Sequence, residues 1–269
     1  CYLFVILRRH INIMSKIKFL LKFGKREHLD SLVEGNIYFS NAITFWGIED
    51  KLKIKGQGDI LEAGTRMFAE KMIMQHLDTK EVIAENVKTN GLIRVEPAKK
   101  MPVFCMFAVY EEDCKVDEYG NTIINLSSEK KQTIREHFPN ADAVAVIPNP
   151  KEFIEDIRKS IGTEIKAEKV NYFNIDRGYE TNDHRTAMDM KYVEYLMQDV
   201  APEKVGGRTR YVLYADYAFR VLFCKDVFFE QEQEYRIVLP KEKIEVGKSY
   251  PVQLSTDYEI YDLNTFFEN

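Results

Sequence analysis

Residues 228–240, "FFEQEQEYRIVLP", alternate glutamate with glutamine and then run into a β-branched apolar stretch. An extended backbone sends successive side chains to opposite faces. A strand reaching back through this stretch therefore sets Glu230, Glu232, Glu234, Arg236 and Val238 on one face, and Gln231, Gln233, Tyr235, Ile237 and Leu239 on the other. The second face reads as core-directed. The first is an acidic row closed by an arginine, and it requires either solvent or a function. Carboxylates two apart on a strand lie about 6.6 Å apart at the backbone, so they can share a substrate while each raises the other's pKa. The competing explanation is a solvent-facing strand whose charges deter edge pairing.

The rest of the chain supplies partners for such a strand. "KIKFLLKFG" (16–24), "NIYFS" (36–40), "GLIRVEP" (91–97), "MPVFCMFAVY" (101–110), "ADAVAVIPN" (141–149), "KVNYFNI" (169–175), "KSYPVQLS" (248–255) and "EIYDLN" (259–264) read as strands, the nearly all-apolar 101–110 being central. Helices are expected at 25–35, stopped by Gly35, at 127–138 and at 184–200. A fourth, at 149–162, carries Asn149 as N-cap, Pro150 in the first turn and Gly162 at its end. Residues 41–64 read as a long polar loop, 66–90 are left open although 66–77 have helical spacing, and 206–210 read as a loop; 214–223 is left open too. Strands and helices intersperse without a βαβ rhythm, which predicts a single α+β domain over 14–269 with a mixed or antiparallel sheet core.

Several classes are excluded. A net charge of −5 speaks against a general nucleic-acid surface. Cys1, Cys105, Cys114 and Cys224 form no CxxC pair, and the five histidines (His10, His28, His76, His137, His184) have no ligand spacing, so no metal site is expected. His184, in "TNDHR", reads as a solvated loop residue or an acid–base group. The cysteine usage fits a reduced, cytoplasmic compartment. The opening apolar run is too short to span a bilayer and its charges follow rather than precede it. Residues 1–13 read as an extension or upstream translation before Met14, and no membrane partner is expected.

Lys22 can bind a phosphate as a point charge or lie along the surface. Tyr38 either stacks a planar ring or fills the core. Asp50, Asp59 and Glu62 with the glutamate row would suit metal-dependent nuclease chemistry, without a motif or basic groove to go with them.

The order of "LLKFGKREHLDSLVEGNIYFSNAITF", "PVFCMF", "AVAVIPNPKEFIEDI", "KVNYF" and "EQEYRIVLP" resembles a bacterial and phage family of unknown function, whose usual Asn-Asp-Pro-Phe loop is "FWGIED" here. That pattern in turn distantly resembles ADP-ribosyltransferases. The resemblance implies their split β-sandwich and NAD as substrate. Glu234 becomes the catalytic glutamate and Glu232 the residue that orients an acceptor. Lys22 and Phe23 stand where a transferase has Arg or His, and Tyr38 and Ser40 fall at the second motif. Arg236 joins them on the cofactor side. The implied activity is ADP-ribosyl transfer to a protein or nucleic-acid acceptor, in a toxin, phage or defence setting; the alternative is a catalytically inactive nucleotide- or protein-binding module. Either way, Lys22, Tyr38, Ser40 and Glu234 are expected to line one cleft.

Overall fold

The structure, a computed structural model, describes residues 17–268 apart from 53–55, 57, 76–78, 177–188, 200, 206–207 and 211–212. The expected extension at 1–13, His10, His76 and His184 lie outside the described residues. In order, the chain forms β1 (Ile17–Gly24), α1 (Arg26–Val33), β2 (Asn36–Phe39), α2 (Ala42–Leu52), β3 (Gly64–Gln75), β4 (Val82–Arg94) and β5 (Val103–Tyr110). There follow β6 (Cys114–Val116), β7 (Thr122–Ile124), α3 (Ser128–His137), β8 (Ala143–Ile147), α4 (Pro150–Ile161), β9 (Lys166–Lys169), β10 (Asn171–Phe173) and α5 (Met190–Leu196). The last part holds β11 (Glu203–Val205), β12 (Arg208–Arg210), β13 (Cys224–Asp226), β14 (Glu234–Val238), β15 (Lys248–Pro251), β16 (Glu259–Asp262) and α6 (Leu263–Glu268). Two 3-10 segments, Ala215–Phe223 and Val227–Glu232, flank β13.

The fold is α+β. Six strands form one antiparallel sheet in the order β16-β8-β1-β5-β14-β9. β5 lies at its centre, as its apolar content predicts, between β1 and β14. One face of the sheet packs Leu20, Phe104, Met106, Ala145, Tyr235 and Ile237 against Phe153, Ile154 and Ile157 of α4. Another cluster holds Leu21, Phe23, Phe107 and Val109 under Ile134 of α3 and Phe267 of α6. The caps of α4 are those expected: Asn149 Oδ1 accepts from the Glu152 N–H, and Gly162 closes the helix at φ 70°.

One feature of the sheet positions the site. β1 pairs with β5 only as far as Leu21↔Phe107, and beyond that the two strands part. β1 continues along β8 from Lys22↔Ala145 to Gly24↔Ala143, while β5 stays with β14 from Glu234↔Phe107 to Val238↔Val103. The start of β5 instead bonds the end of β2, through Ser40 and Val103. β2 itself pairs with β15 rather than joining the large sheet.

Five expectations need correction, the first being the loop at 206–210, where Arg208–Arg210 is β12 and pairs antiparallel with β11. Residues 41–64 are not a loop throughout: Asn41 Oδ1 accepts from the Thr44 N–H at 3.0 Å and starts α2. The helical spacing at 66–75 does not make a helix, because β3 has an antiparallel partner in β4, whose Val82, Ile83, Val87, Thr89 and Ile93 favour extended backbone; residues 76–77 of that reading lie outside the described residues. The 169–175 strand breaks at Val170, whose N–H donates to the Glu234 carbonyl; β9 joins the large sheet and β10 pairs in parallel with β13. Most consequentially, Glu230 and Glu232 are not on a strand. Val227–Glu232 is a 3-10 turn, and Gln233 at φ 41° redirects the chain into β14.

Gly35 ends α1 at φ 91°, and a Cβ there would fall 2.2 Å from the Val252 carbonyl oxygen. Gly35→Ala should cost more than the roughly 1 kcal/mol of an ordinary misplaced alanine. Urea unfolding measures it, and an unchanged midpoint would show that this contact is not made.

Candidate functional site

The gap between β1 and β5 opens into a cavity of about 180 Å³ lined by Lys22, Phe23, Tyr38, Asp59, Glu62, Cys105, His137, Lys225, Glu232, Glu234 and Arg236, with aromatic walls from Phe45, Phe104, Phe107 and Phe138. Three of the four residues expected in one cleft, Lys22, Tyr38 and Glu234, are therefore brought together. Ser40 is not among the lining residues; its backbone is spent on the bridge to Val103. Phe23 lines the cavity but is held edge-on to Phe107, as a wall.

Arg236 is 1% exposed and organises the centre. Its Nε and Nη2 donate to the two oxygens of Glu234 at 2.9 and 3.0 Å, and its Nη1 and Nη2 donate to those of Glu62 at 2.6 and 2.8 Å. Nη1 also donates to the Leu222 carbonyl at 2.5 Å. An arginine has five N–H donors, and all are used. Arg236 therefore has none left for a cofactor phosphate, which corrects its expected place on the cofactor side.

Glu62 reaches Arg236 because its turn is pinned from outside. Trp46 of α2 donates its indole N–H to the Glu62 carbonyl at 2.8 Å, and the Arg94 guanidinium stacks 3.8 Å over the Trp46 ring. Glu49 accepts from the Ile60 N–H at 2.6 Å. The turn so held also presents Asp59.

Lys225 stands on the other side of the pair. Its ammonium donates to Glu232 Oε2 at 2.6 Å and lies 3.3 Å from Glu234 Oε2. Burial opposes charge on Lys225, but Glu232 and Glu234 outweigh it and hold the ammonium well above its ordinary pKa. Burial likewise opposes ionisation of Glu234, yet Arg236 and Lys225 overcome it, and Glu234 stays ionised well below the usual carboxylate range. Glu232 Oε1 meets His137 Nδ1 at 2.6 Å. The two glutamates thus carry different chemistry: Glu234 is locked to an arginine, and Glu232 links a lysine to an imidazole.

Lys22 is half-buried, its ammonium donating to the Cys105 carbonyl at 2.7 Å across the gap where β1 has left β5. Burial pushes its pKa down, and Cys105 and Glu234 pull it partly back. Lys22, Lys225 and Arg236 then face Glu62, Glu232 and Glu234, three cations against three carboxylates. Asp59 is the fourth acid. It is 5% exposed, its Oδ1 accepts from the Leu61 N–H at 2.9 Å, and its Oδ2 has no hydrogen-bond partner among the described residues. Burial and the neighbouring Glu62 push its pKa up to about 7.

Sequence reading misses Lys225 and His137 as site residues, and brings in Asp59 and Glu62 only through the less favoured alternative of metal-dependent nuclease chemistry. Among the described residues no group of three or more His, Cys, Asp or Glu could hold a metal ion, and Asp50 is exposed on α2 rather than lining the cavity. No helix among them is long and apolar enough to cross a membrane. No family profile, curated protein or solved structure matches the chain.

Two outcomes follow from this geometry. Arg236→Met leaves Glu62 and Glu234 buried without their cation and should cost about 3–5 kcal/mol in urea unfolding; a loss under about 1 kcal/mol would mean the cluster is solvated. Asp59 binds a proton more tightly folded than unfolded, so wild-type stability falls as pH rises from the ordinary value, 3.8, toward 7. Asp59→Asn removes that dependence. The melting temperature of the variant minus that of the wild type should grow between pH 4 and pH 8, and a constant difference would refute the raised pKa.

Proposed function

We propose that this protein is an ADP-ribosyltransferase-like enzyme that uses NAD to modify a macromolecular target. The observation that carries the reading is Glu234, an ionised carboxylate on a central strand, at the cavity where β1 and β5 part. Breaking the nicotinamide–ribose bond develops positive charge on the ribose, and a fixed carboxylate stabilises that charge where it forms. Aromatic walls suit a planar ring, and Tyr38, 56% exposed, offers a second stacking surface at the cavity's rim. A volume near 180 Å³ is below the roughly 300–1,000 Å³ of pockets that enclose a drug-sized ligand. One end of a dinucleotide would enter, and the rest would lie outside.

A second reading has its own support. Every N–H of Arg236 is used within the protein, and Glu234 is already neutralised by Arg236 and Lys225. A carboxylate so committed suits a nucleotide-binding module without catalysis.

Incubating purified protein with nicotinamide-labelled NAD and cell lysate separates the two. Release of nicotinamide with ADP-ribose on an acceptor supports the enzyme; saturable binding of NAD without release supports the module; neither would overturn both. In an active protein, Glu234→Gln should lower turnover by roughly 10² to 10³, the cost of about 3–4 kcal/mol for one lost transition-state contact. Because Glu234 is 8% exposed and ion-paired, the variant will also lose stability, so rates must be taken per folded molecule. Equal turnover per folded molecule would remove Glu234 from the chemistry.

A further inference from the structure

The proposed reaction has an unfilled role. A ribosyl acceptor must lose a proton, and the sequence offers Glu232 for it. In the structure both Glu232 oxygens are occupied, Oε2 by the Lys225 ammonium and Oε1 by His137 Nδ1. The group that Glu232 positions is the imidazole.

We propose that His137, oriented by Glu232, is the general base of this cavity, taking the acceptor's proton on Nε2. The proposal rests on the NAD reading above. A carboxylate only accepts hydrogen bonds, so Glu232 Oε1 places the imidazole proton on Nδ1 and leaves the Nε2 lone pair to act, while the Lys225 ammonium donates to Oε2 of the same carboxylate at 2.6 Å. The ring is fixed in two directions, stacked on Phe228 at 5.6 Å and 20° and met edge-on by Phe229 at 5.9 Å. Among the described residues Nε2 makes no hydrogen bond. Beside it stands Gly56, at φ 112°, where a Cβ would lie 3.0 Å from Nε2 and 2.8 Å from Cδ2. A side chain at this position would press on the Nε2 edge of the ring.

The step balances. The C1′–N bond of NAD breaks with its electron pair on nicotinamide, which leaves neutral. The acceptor oxygen or nitrogen bonds to C1′, and its proton passes to Nε2. The resulting imidazolium is held at Nδ1 by Glu232 and later releases the proton to water. The charged neighbours are Glu232 and, behind it, Lys225 on the 3-10 segment and β13; Asp59, Glu62, Lys22, Glu234 and Arg236 around the cavity; and Arg135 and Glu136 on α3 itself.

The test pairs rates with a spectrum. Acceptor modification is followed from pH 5.5 to 9 in wild type, His137→Gln, Glu232→Gln and Gly56→Ala, and imidazole ¹⁵N correlations of His137 are recorded over the same range. The wild-type rate should rise about tenfold per pH unit up to the His137 midpoint read from the spectrum, then level. His137→Gln should lose that limb and about 10² to 10⁴ in rate. Glu232→Gln should keep a smaller rate and shift proton from Nδ1 to Nε2, and Gly56→Ala should slow transfer while leaving the tautomer unchanged. A wild-type spectrum dominated by the Nε2–H tautomer overturns the proposal. So does an active wild type whose rate and pH profile survive His137→Gln, although the NAD reading would then stand. With no turnover in the wild type, the transferase reading falls and added ADP-ribose decides the site. A shift of His137 Nε2 with Nδ1–H retained supports a proton-accepting site, and no shift overturns it.

Discussion

The guanidinium of Arg236 is the constraint on which the rest of the centre depends. Two carboxylates and one carbonyl take all five of its donors, and the side chain is 1% exposed. Such clusters are weak sources of stability, because desolvating the charges costs about as much as their attraction returns. Their consequence is geometric. Only one placement of Glu62, about 170 residues away in sequence, satisfies the fork, so the turn after α2 must close over β14 while Trp46 and Glu49 hold it from behind.

Once that turn is closed, the sheet defect becomes a site. Strands that part normally leave backbone groups without partners, which is costly in an interior. Here the Lys22 ammonium takes the Cys105 carbonyl that a continuing β1 would have left to the ladder, and Ser40 takes the main chain of Val103. The gap therefore persists as a cavity rather than collapsing. A lysine is suited to the task because its long stem reaches across; burial pushes its pKa down, and Cys105 and Glu234 pull it partly back.

What the sequence makes legible follows from range. β5 and β8 are apolar enough to be read as buried strands whatever surrounds them, and α4 carries its own caps. That Glu234, Lys22 and Tyr38 share one cleft is an implication of the motif resemblance; local spacing does not display it. The pairing of β3 with β4 and the capping of α2 by Asn41 depend on partners that local spacing does not display. His137 and Lys225 are invisible for a related reason. One sits at the end of an ordinary amphipathic helix, and the other precedes Glu232 by seven residues, a spacing that means nothing until a 3-10 turn folds it back.

The alternating glutamates show how one local turn converts a repeated pattern into different functions. On a continuous strand, Glu232 and Glu234 would share a face, and each would raise the pKa of the other. The left-handed backbone of Gln233 breaks that equivalence, and its side chain fixes the break by donating to the Ala108 carbonyl and to Asp113 at 2.8 Å. Glu232 is thereby turned toward α3 and its imidazole, while Glu234 begins β14 beside Arg236. Lys225 lies between them and touches both, so the two carboxylates meet through a cation instead of repelling directly. Lys22 completes the balance of three cations with three carboxylates, and the acid left over is Asp59, which keeps its proton to about pH 7. A protonatable carboxyl, Asp59, therefore stands in the same cavity as Glu234, which stays ionised between Arg236 and Lys225, so burial and neighbouring charge have pushed two carboxyl groups of one cavity in opposite directions.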